Sequence, residues 1–440
     1  MSKTQHEKPT PDTQCEWRAN VTLTQLHAKR QSVEKIDLRS AELKLKPEAF
    51  WQALRERGPT ITTRQPLLGR ICLTTRFEES KQILTDTRQF SVDARRCGHA
   101  ASAGMRWWVP GLFKPLANNL LTLDGDEHRA LRKRVDYAFK RTELSALQAN
   151  IETEVSRAVH TFNRNIQNKG HADFVADVAR PVPQRVISHL LGLNEEFENR
   201  HPAFGRDLSS LTSMRSASDL LRATPAIRRI SAALNAEIHE RRNRPRTDFL
   251  TRMIVEHGDG LALSDEQLLS MTFLLYVAGH ETTTHLMSAS LWAVLYNDEI
   301  REQMTKPLAD NHINEFLRYL SPVQLSKPRF VVKNMSFAGA LLKKGDTIAA
   351  LIACANQDER VFDNGQTLNL ENASPRHLGF GAGPHTCFGL HLALRETSTT
   401  LNRFITNPTL RLAQGNQSFA WNSRLGLRTL KYLNVVATPC

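Results

Sequence analysis

The segment FGAGPHTCFG, residues 380–389, surrounds Cys387 with glycines. Glycine lets a backbone approach a bulky group closely, and a helical pattern begins directly after the segment. Free N–H groups and the positive dipole at a helix N-terminus favour the thiolate, which is the form of cysteine that binds metals. The segment therefore predicts a thiolate directed at a bulky or metal-containing group. A glycine-rich turn around a buried structural cysteine is the alternative.

The segment AGHETT, residues 278–283, places an acid and hydroxyl groups inside an apolar helical pattern. Ser264 and Gln267 form a capping-box pattern that predicts the start of this helix, and the pattern continues to about Tyr296. A helix of that length crosses a whole domain. Gly279 is a weak point in it. A local kink with capped hydroxyls is one interpretation of the segment, and a polar site is the other.

Three other kinds of metal or cofactor site are excluded by spacing. His280 and His285 lie five residues apart, whereas the zinc-protease pattern H-E-x-x-H places its histidines four apart on one helix face. The six cysteines are widely spaced and form no C-x-x-C pair, so neither a disulfide framework nor a four-thiolate zinc site is indicated. The glycines around Cys387 do not fit the dinucleotide pattern G-x-G-x-x-G.

The cysteine segment resembles the haem-binding loop of the cytochrome P-450 family, F-G-x-G-x-H-x-C-x-G. The matching residues are Phe380, Gly381, Gly383, His385, Cys387 and Gly389. The resemblance implies that Cys387 is the thiolate axial ligand of haem b (iron protoporphyrin IX) and that Phe380 packs beside the haem. An electron-rich sulfur ligand favours cleavage of the O–O bond. The resemblance extends over residues 46–435 and is closest to bacterial soluble members.

The AGHETT segment is similar to the family pattern A-G-x-[DE]-T-T, in the helix beside the dioxygen site. The resemblance implies that Thr282 hydrogen-bonds dioxygen and that Glu281 relays protons to it. It also implies that Ala278 and Gly279 lie against the haem.

Four basic residues match the positions that hold the two haem propionates in the family. His128 and Arg132 fit the H-x-x-x-R helix, Arg329 precedes the K-K-G-D turn, and His385 belongs to the cysteine segment. Charge-assisted hydrogen bonds from these residues would neutralise the carboxylates. A solvated basic helix is the alternative for the first two.

The pair Glu315 and Arg318 matches the structural E-x-x-R helix of the family. In any other helix these residues would form a routine ion pair at i,i+3. Family members complete the pair with a later arginine, and Thr367 occupies that position here. The conformation of the segment around Thr367 is therefore an open question.

The chain of 440 residues, of which 40% are hydrophobic, is long enough for a large core. The pattern predicts a mainly α fold with small β-sheets, namely the single-domain cytochrome P-450 fold with a long central helix and a cysteine-ligand haem loop. Residues 1–18 are predicted to form a flexible leader, and residues 19–440 the haem domain. No secretory signal or membrane-spanning run is found, so a cytoplasmic protein is expected.

The formal net charge of +13 either serves solubility or provides a basic face for an acidic partner, an anionic surface or nucleic acid. HRALRKRVDYAFKR, residues 128–141, lies on the helix that borders the proximal haem face in the family, so a ferredoxin or flavodoxin is expected to dock there. A solvated face is the alternative. A second basic run, within residues 222–246, has no evident role. No nucleic-acid-binding fold is recognised.

The function expected from the resemblance is that of a haem-thiolate monooxygenase. It would hydroxylate or epoxidise an apolar small molecule of secondary, lipid, terpenoid or polyketide metabolism, with electrons from NAD(P)H passed through a redox partner. Residues 97–120, including Trp107 and Trp108, residues 200–230 and the stretch Val323–Lys327 are expected to line the pocket. The alternative is a non-oxygenating haem protein, either a peroxide-using enzyme or a ligand sensor.

Overall fold

The structure is a computed structural model, and it describes most of the chain from residue 33 to residue 438. The residues that it does not describe within those limits are 35, 40, 66–67, 100–118, 137–146, 202, 205–206, 208–221, 256–262, 305, 372–375, 415–417 and 423. The predicted leader, Trp107 and Trp108 lie outside the described residues. So does much of the 200–230 region.

Helices make up most of the described fold, as the sequence predicted. In chain order they are α1 (Ala41–Leu45), α2 (Glu48–Arg57), α3 (Phe77–Thr85), α4 (Gly125–Asp136), α5 (Gln148–Lys169), α6 (Pro181–Leu191), α7 (Glu195–Arg200), α8 (Thr224–Asn243), α9 (Phe249–Val255), α10 (Asp265–Tyr296), α11 (Asp298–Glu302), α12 (Asp310–Leu320), α13 (Ile352–Ala355) and α14 (Leu390–Leu401). A π-helical turn, Val175–Ala179, and 3₁₀ turns at Ala94–Cys97 and Gly383–His385 complete the helical part. None of the described helices is long and apolar enough to cross a membrane.

The described strands form three small sheets. They are β1 (Thr60–Gln65), β2 (Gly69–Thr74), β3 (Phe90–Ser91), β4 (Ala172–Asp173), β5 (Arg329–Val331), β6 (Met335–Phe337), β7 (Ala340–Leu342), β8 (Thr347–Ala350), β9 (Leu410–Leu412), β10 (Phe419–Trp421) and β11 (Leu430–Ala437). The five-stranded sheet has the order β1-β2-β8-β5-β3, in which β2 and β8 are parallel. β11 pairs with β10, β4 and β9, and β6 pairs with β7.

The long helix α10 is the element around which the others pack. It has 32 residues, about 48 Å at 1.5 Å per residue. Both capping-box hydrogen bonds between Ser264 and Gln267 are present, which confirms the predicted start. The helices α6, α8 and α14 pack against it, and its side chains are buried over most of its length. Its middle is therefore held rigidly in the interior.

Candidate active site

One cavity, with a volume of about 300 Å³, lies between the middle of α10 and the loop that carries Cys387 (residues 379–389, the Cys387 loop). Ala278, Gly279 and Thr282 line it from α10, and Phe380 and Cys387 line it from the loop. Basic side chains also line it, and they are His128, Arg132, Lys327, Arg329 and His385. Most other lining residues are apolar, among them Leu84, Val92, Leu120, Leu121, Leu274, Leu275, Leu286 and Val323.

The Cys387 loop takes its shape from its glycines. Gly381 and Gly383 have φ angles of 73° and 72°, which side-chain-bearing residues rarely adopt. A Cβ atom at Gly383 would also lie only 3.0 Å from the Cα of Thr85 at the end of α3. The loop closes on itself where the N–H of Cys387 donates to the carbonyl of Phe380 at 2.8 Å. The glycines therefore allow the turn and the close packing that present the sulfur to the cavity.

The thiol of Cys387 is exposed to the cavity although it lies deep below the outer surface. This burial raises the pKa of Cys387, while the backbone N–H of Gly389 and the charge of Arg132 oppose the rise. The N–H at the helix N-terminus lowers the pKa as predicted, but for the chain alone desolvation outweighs this N–H donor and the cation. A coordinated metal cation would reverse this balance, because it deprotonates a thiol outright.

The opposite wall of the cavity is an unbroken stretch of α10. The hydroxyl of Thr282 faces the cavity and donates to the carbonyl of Ala278 at 3.0 Å. Gly279 lets α6 approach, since a Cβ atom there would lie 2.9 Å from the side chain of Ile187. The glycine therefore serves helix packing, and the hydroxyl satisfies a carbonyl of its own helix.

Glu281 is not among the described lining residues of the cavity. Its carboxylate forms an ion pair with Arg424, which lies just after β10, and lies 3.6 Å from the Nε2 atom of His285 on the next turn of α10. Hydrogen bonds and charge from these two partners lower the pKa of Glu281 against the effect of burial. The structure thus separates the two predicted proton-handling residues, with Thr282 in the cavity and Glu281 behind it.

Arg132 joins α4 to the Cys387 loop. Its guanidinium donates to the carbonyls of Pro384 at 2.9 Å and Thr386 at 2.7 Å, and also pairs with Asp136 at 3.0 Å. The same group lies 3.7 Å from the centre of the Phe388 ring. Arg132 therefore positions the loop as well as lining the cavity.

His385 and His128 lie side by side, with ring centres 4.3 Å apart. The Nε2 atom of His385 lies 2.7 Å from Asp124 Oδ1, and its Nδ1 atom lies 3.1 Å from the carbonyl of Leu120. The buried Nε2 atom of His128 has no hydrogen-bond partner among the described residues. Burial, and then the charge of His385, lower the pKa of His128 to about 4. His128 therefore has an unused nitrogen beside the cavity.

Arg329 is 2% exposed and has no carboxylate partner in the described part of the chain. It donates to the carbonyls of Leu84 at 3.1 Å and Phe90 at 3.4 Å, and its Nε atom has no partner there. Burial lowers the pKa of Arg329 to about 10 and that of Lys327 to about 7. A buried cation without an anion is costly, so this part of the cavity is prepared for negative charge.

Glu315 and Arg318 lie outside the cavity lining, in the buried core. Their side chains form two hydrogen bonds of 2.8 and 2.7 Å. Arg318 also donates to the backbone carbonyls of Asn356, Gly365 and Thr367, each within 2.9 Å. Thr367 therefore accepts from Arg318 through its carbonyl, and the N–H of Asn369 donates to Glu315 at 3.0 Å, where the family pattern supplies an arginine side chain.

Three residues that take part in this arrangement were not singled out as site residues from the sequence. Asp124 holds His385, Arg424 holds Glu281, and Lys327 lines the cavity. Lys327 was included only as the end of a stretch expected to line the pocket. The position of Asp124 at the start of α4, four residues before His128, was the one available signal for it.

Comparison with known proteins identifies the family. The family model described as cytochrome P-450 matches residues 83–432. A polyketide biosynthesis cytochrome P-450 of Bacillus subtilis, PksS, is 29% identical over 323 residues, which are 73% of this chain and 78% of the relative. A cytochrome P-450 of Priestia megaterium is 30% identical over 333 residues, 74% of this chain and 78% of the relative.

Among solved structures, a myxobacterial cytochrome P-450 in complex with myristic acid superposes with a TM-score of 0.81. It is 26% identical in sequence, and the match covers 92% of this chain and 99% of that one. The mainly α, single-domain fold expected from the sequence is confirmed, and none of these three relatives supports the non-oxygenating alternative. The chain belongs to the cytochrome P-450 family, and it is a haem b-dependent monooxygenase that takes electrons from NAD(P)H through a redox partner.

Proposed function

We propose that Cys387 is the haem ligand of this monooxygenase and that haem and substrate share the cavity between α10 and the Cys387 loop. The observation that carries this proposal is the thiol of Cys387, which opens into a cavity with buried, unpartnered nitrogen atoms on its wall. A haem needs one thiolate ligand, apolar walls for its ring and positive charge for its two propionates. The described lining supplies all three, so the residues fit the group.

The basic residues of the cavity would hold the propionates. Arg132 and Arg329 provide permanent positive charge, and His128 offers its unpartnered Nε2 atom. His385, fixed by Asp124, completes the set. When bound, the haem supplies the iron that activates dioxygen and transfers one oxygen atom to the substrate.

The proton-handling groups belong to α10. The Thr282 hydroxyl faces the cavity, where it would hydrogen-bond dioxygen and pass it protons. Glu281 would resupply these protons from behind the helix, and its ion pair with Arg424 keeps the carboxylate charged between transfers. Release of that ion pair is then part of each proton delivery.

The substrate would be a largely apolar molecule of lipid or polyketide type. The walls of the cavity around Leu84, Leu120, Leu274 and Leu286 are aliphatic, which favours such a ligand. A relative named for polyketide biosynthesis and a structural relative that binds myristic acid agree with this class.

The redox partner would be an acidic ferredoxin or flavodoxin. Helix α4 is tied to the Cys387 loop by Arg132, and its exposed face carries Arg129 and Lys133. A donor that docks there approaches the sulfur side of the cavity, and opposite charge would steer it. Charge reversal at Lys133 should slow reduction by such a donor at low salt and have little effect at high salt.

The test of the ligand is a carbon monoxide difference spectrum of the reduced holoprotein. We expect a red-shifted Soret band in the wild type and in the matched control Cys97→Ala, which removes a cysteine that is not in the described cavity lining. Cys387→Ala should lose the band. Retention of the band by Cys387→Ala would overturn the assignment.

The test of proton delivery is Thr282→Ala. Without the hydroxyl, protons reach dioxygen at the wrong place or time, so we expect NAD(P)H consumption to continue while product yield falls about tenfold and hydrogen peroxide rises. The buried Thr272→Ala, two turns or more away on α10, is the control and should stay coupled. Unchanged coupling in Thr282→Ala, together with turnover on peroxide alone, would favour the peroxide-using alternative.

A further inference from the structure

Lys327 is a cation in the cavity that the proposed haem contacts do not require. It lines the same cavity as Arg132 and Arg329, and its Nζ atom donates to the carbonyl of Leu121. Within the described residues it forms no ion pair. An ammonium group has three N–H donors, so the Leu121 carbonyl leaves two of them for other partners.

The carboxylates of Asp124 and Asp93 raise the pKa of Lys327 through their charge, but both bind other groups. Asp124 accepts from His385 at 2.7 Å, from the Ser91 hydroxyl at 2.5 Å and from the N–H of Val92 at 2.8 Å. Asp93 forms a bidentate ion pair with Arg95, whose guanidinium donates to its two carboxylate oxygens at 3.0 and 2.6 Å. No carboxylate is among the described residues that line the cavity.

Lys327 has an accessible side chain in the cavity although it lies deep below the outer surface, so an anion that enters the cavity can reach its ammonium. The nearby walls are apolar side chains such as Leu84, Leu121 and Val323. Burial lowers the pKa of Lys327 to about 7, whereas a contacting carboxylate would raise it again. A cation at the edge of an apolar cavity is the arrangement that recognises an apolar molecule with one acidic end.

Either of two carboxylate sources could meet this ammonium, a haem propionate or the substrate. Arg132 and Arg329 already provide one guanidinium for each of the two propionates. Lys327 also belongs to the stretch Val323–Lys327, in which Val323 and Ser326 line the cavity as well. We therefore propose that Lys327 binds a carboxylate of the substrate, so that the enzyme oxidises apolar acids such as long-chain carboxylic acids. This inference rests on the proposed function, because it takes the Cys387 cavity as the substrate site.

The experiment compares ligands that differ only in charge, on the full-length holoprotein. Dodecanoic acid, 1-dodecanol and dodecyltrimethylammonium are titrated, and binding is followed by the Soret shift and by calorimetry. We expect the wild type to bind the acid about tenfold more tightly than the alcohol, the scale of one charge-assisted hydrogen bond. Lys327→Gln should remove that preference with less than about twofold change for the alcohol, and Lys327→Glu should favour the ammonium compound instead.

The control is Lys333→Gln, which removes an exposed lysine after β5 and should bind all three ligands as the wild type does. Equal weakening of acid and alcohol in Lys327→Gln, together with faster haem loss, would assign the ammonium to a propionate and overturn the proposal. A wild type that binds acids of ten to sixteen carbons no better than the alcohols would overturn it too. The carbon monoxide spectrum of each sample separates this failure from failure of Cys387 ligation.

Discussion

Two groups of ionisable side chains in this molecule are completed in opposite ways. Glu315 and Arg318 satisfy each other, and backbone carbonyls take the remaining donors of Arg318. The cavity group of His128, Lys327 and Arg329 has unpartnered nitrogen atoms and no carboxylate in contact among the described residues.

The comparison indicates how structural and functional charge can be distinguished in one chain. A buried charge that belongs to the architecture finds all its partners within the chain, because an unpaired one would destabilise the fold. A buried charge that belongs to a binding site has a polar atom without a partner in the chain, and the ligand supplies that partner. Replacing Arg318 in one group and Arg329 in the other tests this distinction.

The largest effect is expected for the buried pair of Glu315 and Arg318. Arg318→Ala leaves Glu315 charged and unpaired in the core, so we expect the free energy of unfolding to fall by about 3–5 kcal/mol. Urea unfolding of the apoprotein, followed by circular dichroism, measures the change. Because this variant could fail to fold, the double replacement Glu315→Leu with Arg318→Met is needed, and it should recover much of the loss.

The control for this experiment is Arg39→Ala, which breaks an exposed ion pair with Asp37 and should change stability by less than about 1 kcal/mol. A loss in Arg318→Ala no larger than in this control would show that the buried pair is not architectural, and the distinction would fail on its structural side.

A smaller effect is expected for the cavity group, and it should appear in haem binding and not in the stability of the apoprotein. Arg329→Leu removes a buried cation that has no carboxylate partner among the residues that the structure describes, so the stability of the apoprotein should change by less than about 1 kcal/mol. The haem, in contrast, loses a charge-assisted hydrogen bond, and its rate of transfer to an acceptor protein should rise about tenfold. The two measurements on one variant separate architecture from ligand binding. A large loss of apoprotein stability without faster haem transfer would contradict the prediction.

Local signals made much of this molecule predictable from its sequence. The cap at Ser264, the glycines around Cys387 and the spacing of Glu315 and Arg318 each depend on residues within a few positions of one another. These features appeared in the structure where the patterns placed them. They are short-range because helix caps, tight turns and i,i+3 pairs are set by the local backbone.

Contacts between distant parts of the chain were not predictable in this way. His385 meets Asp124 across 261 residues, and Arg424 meets Glu281 across 143. Sequence patterns report neither which distant residues meet nor which side of a helix a charge faces. The segment around Thr367 shows a related limit, because a backbone N–H, that of Asn369, donates to Glu315 where a side chain was expected, and almost every residue type has this group.

The basic stretch at residues 222–246 is a further case in which the sequence pattern does not show which residues pair. As a run of positive charge it has no evident role in the sequence. In the structure four of its arginines pair with acidic residues. The pairs are Arg229–Asp207, Arg241–Glu237, Arg241–Asp248, Arg242–Asp265 and Arg246–Glu240. Much of this charge is therefore used within the fold, like that of Arg318.

Lys44 provides a third case, in which a buried cation loses its proton instead of finding an anion. It is fully buried, and its Nζ atom is hydrogen-bonded to the side chain of Gln324. Burial, and then the charge of Arg428, lower the pKa of Lys44 to about 7 from its ordinary 10.5. Between these two values the unfolded chain binds a proton that the folded chain does not, so this residue makes stability rise with pH.

The last expected effect is a change in the slope of unfolding free energy against pH in Lys44→Met. From pH 7 to pH 9 the wild type should gain about 2 kcal/mol of unfolding free energy relative to this variant, at about 1.4 kcal/mol per pH unit. Urea unfolding at several pH values measures both proteins, and the exposed Lys333→Met should keep the wild-type slope. Parallel curves for Lys44→Met and the wild type would mean that Lys44 stays charged in the folded protein. The Lys44 ammonium would then resemble the cavity cations Lys327 and Arg329, which have no carboxylate in contact among the described residues.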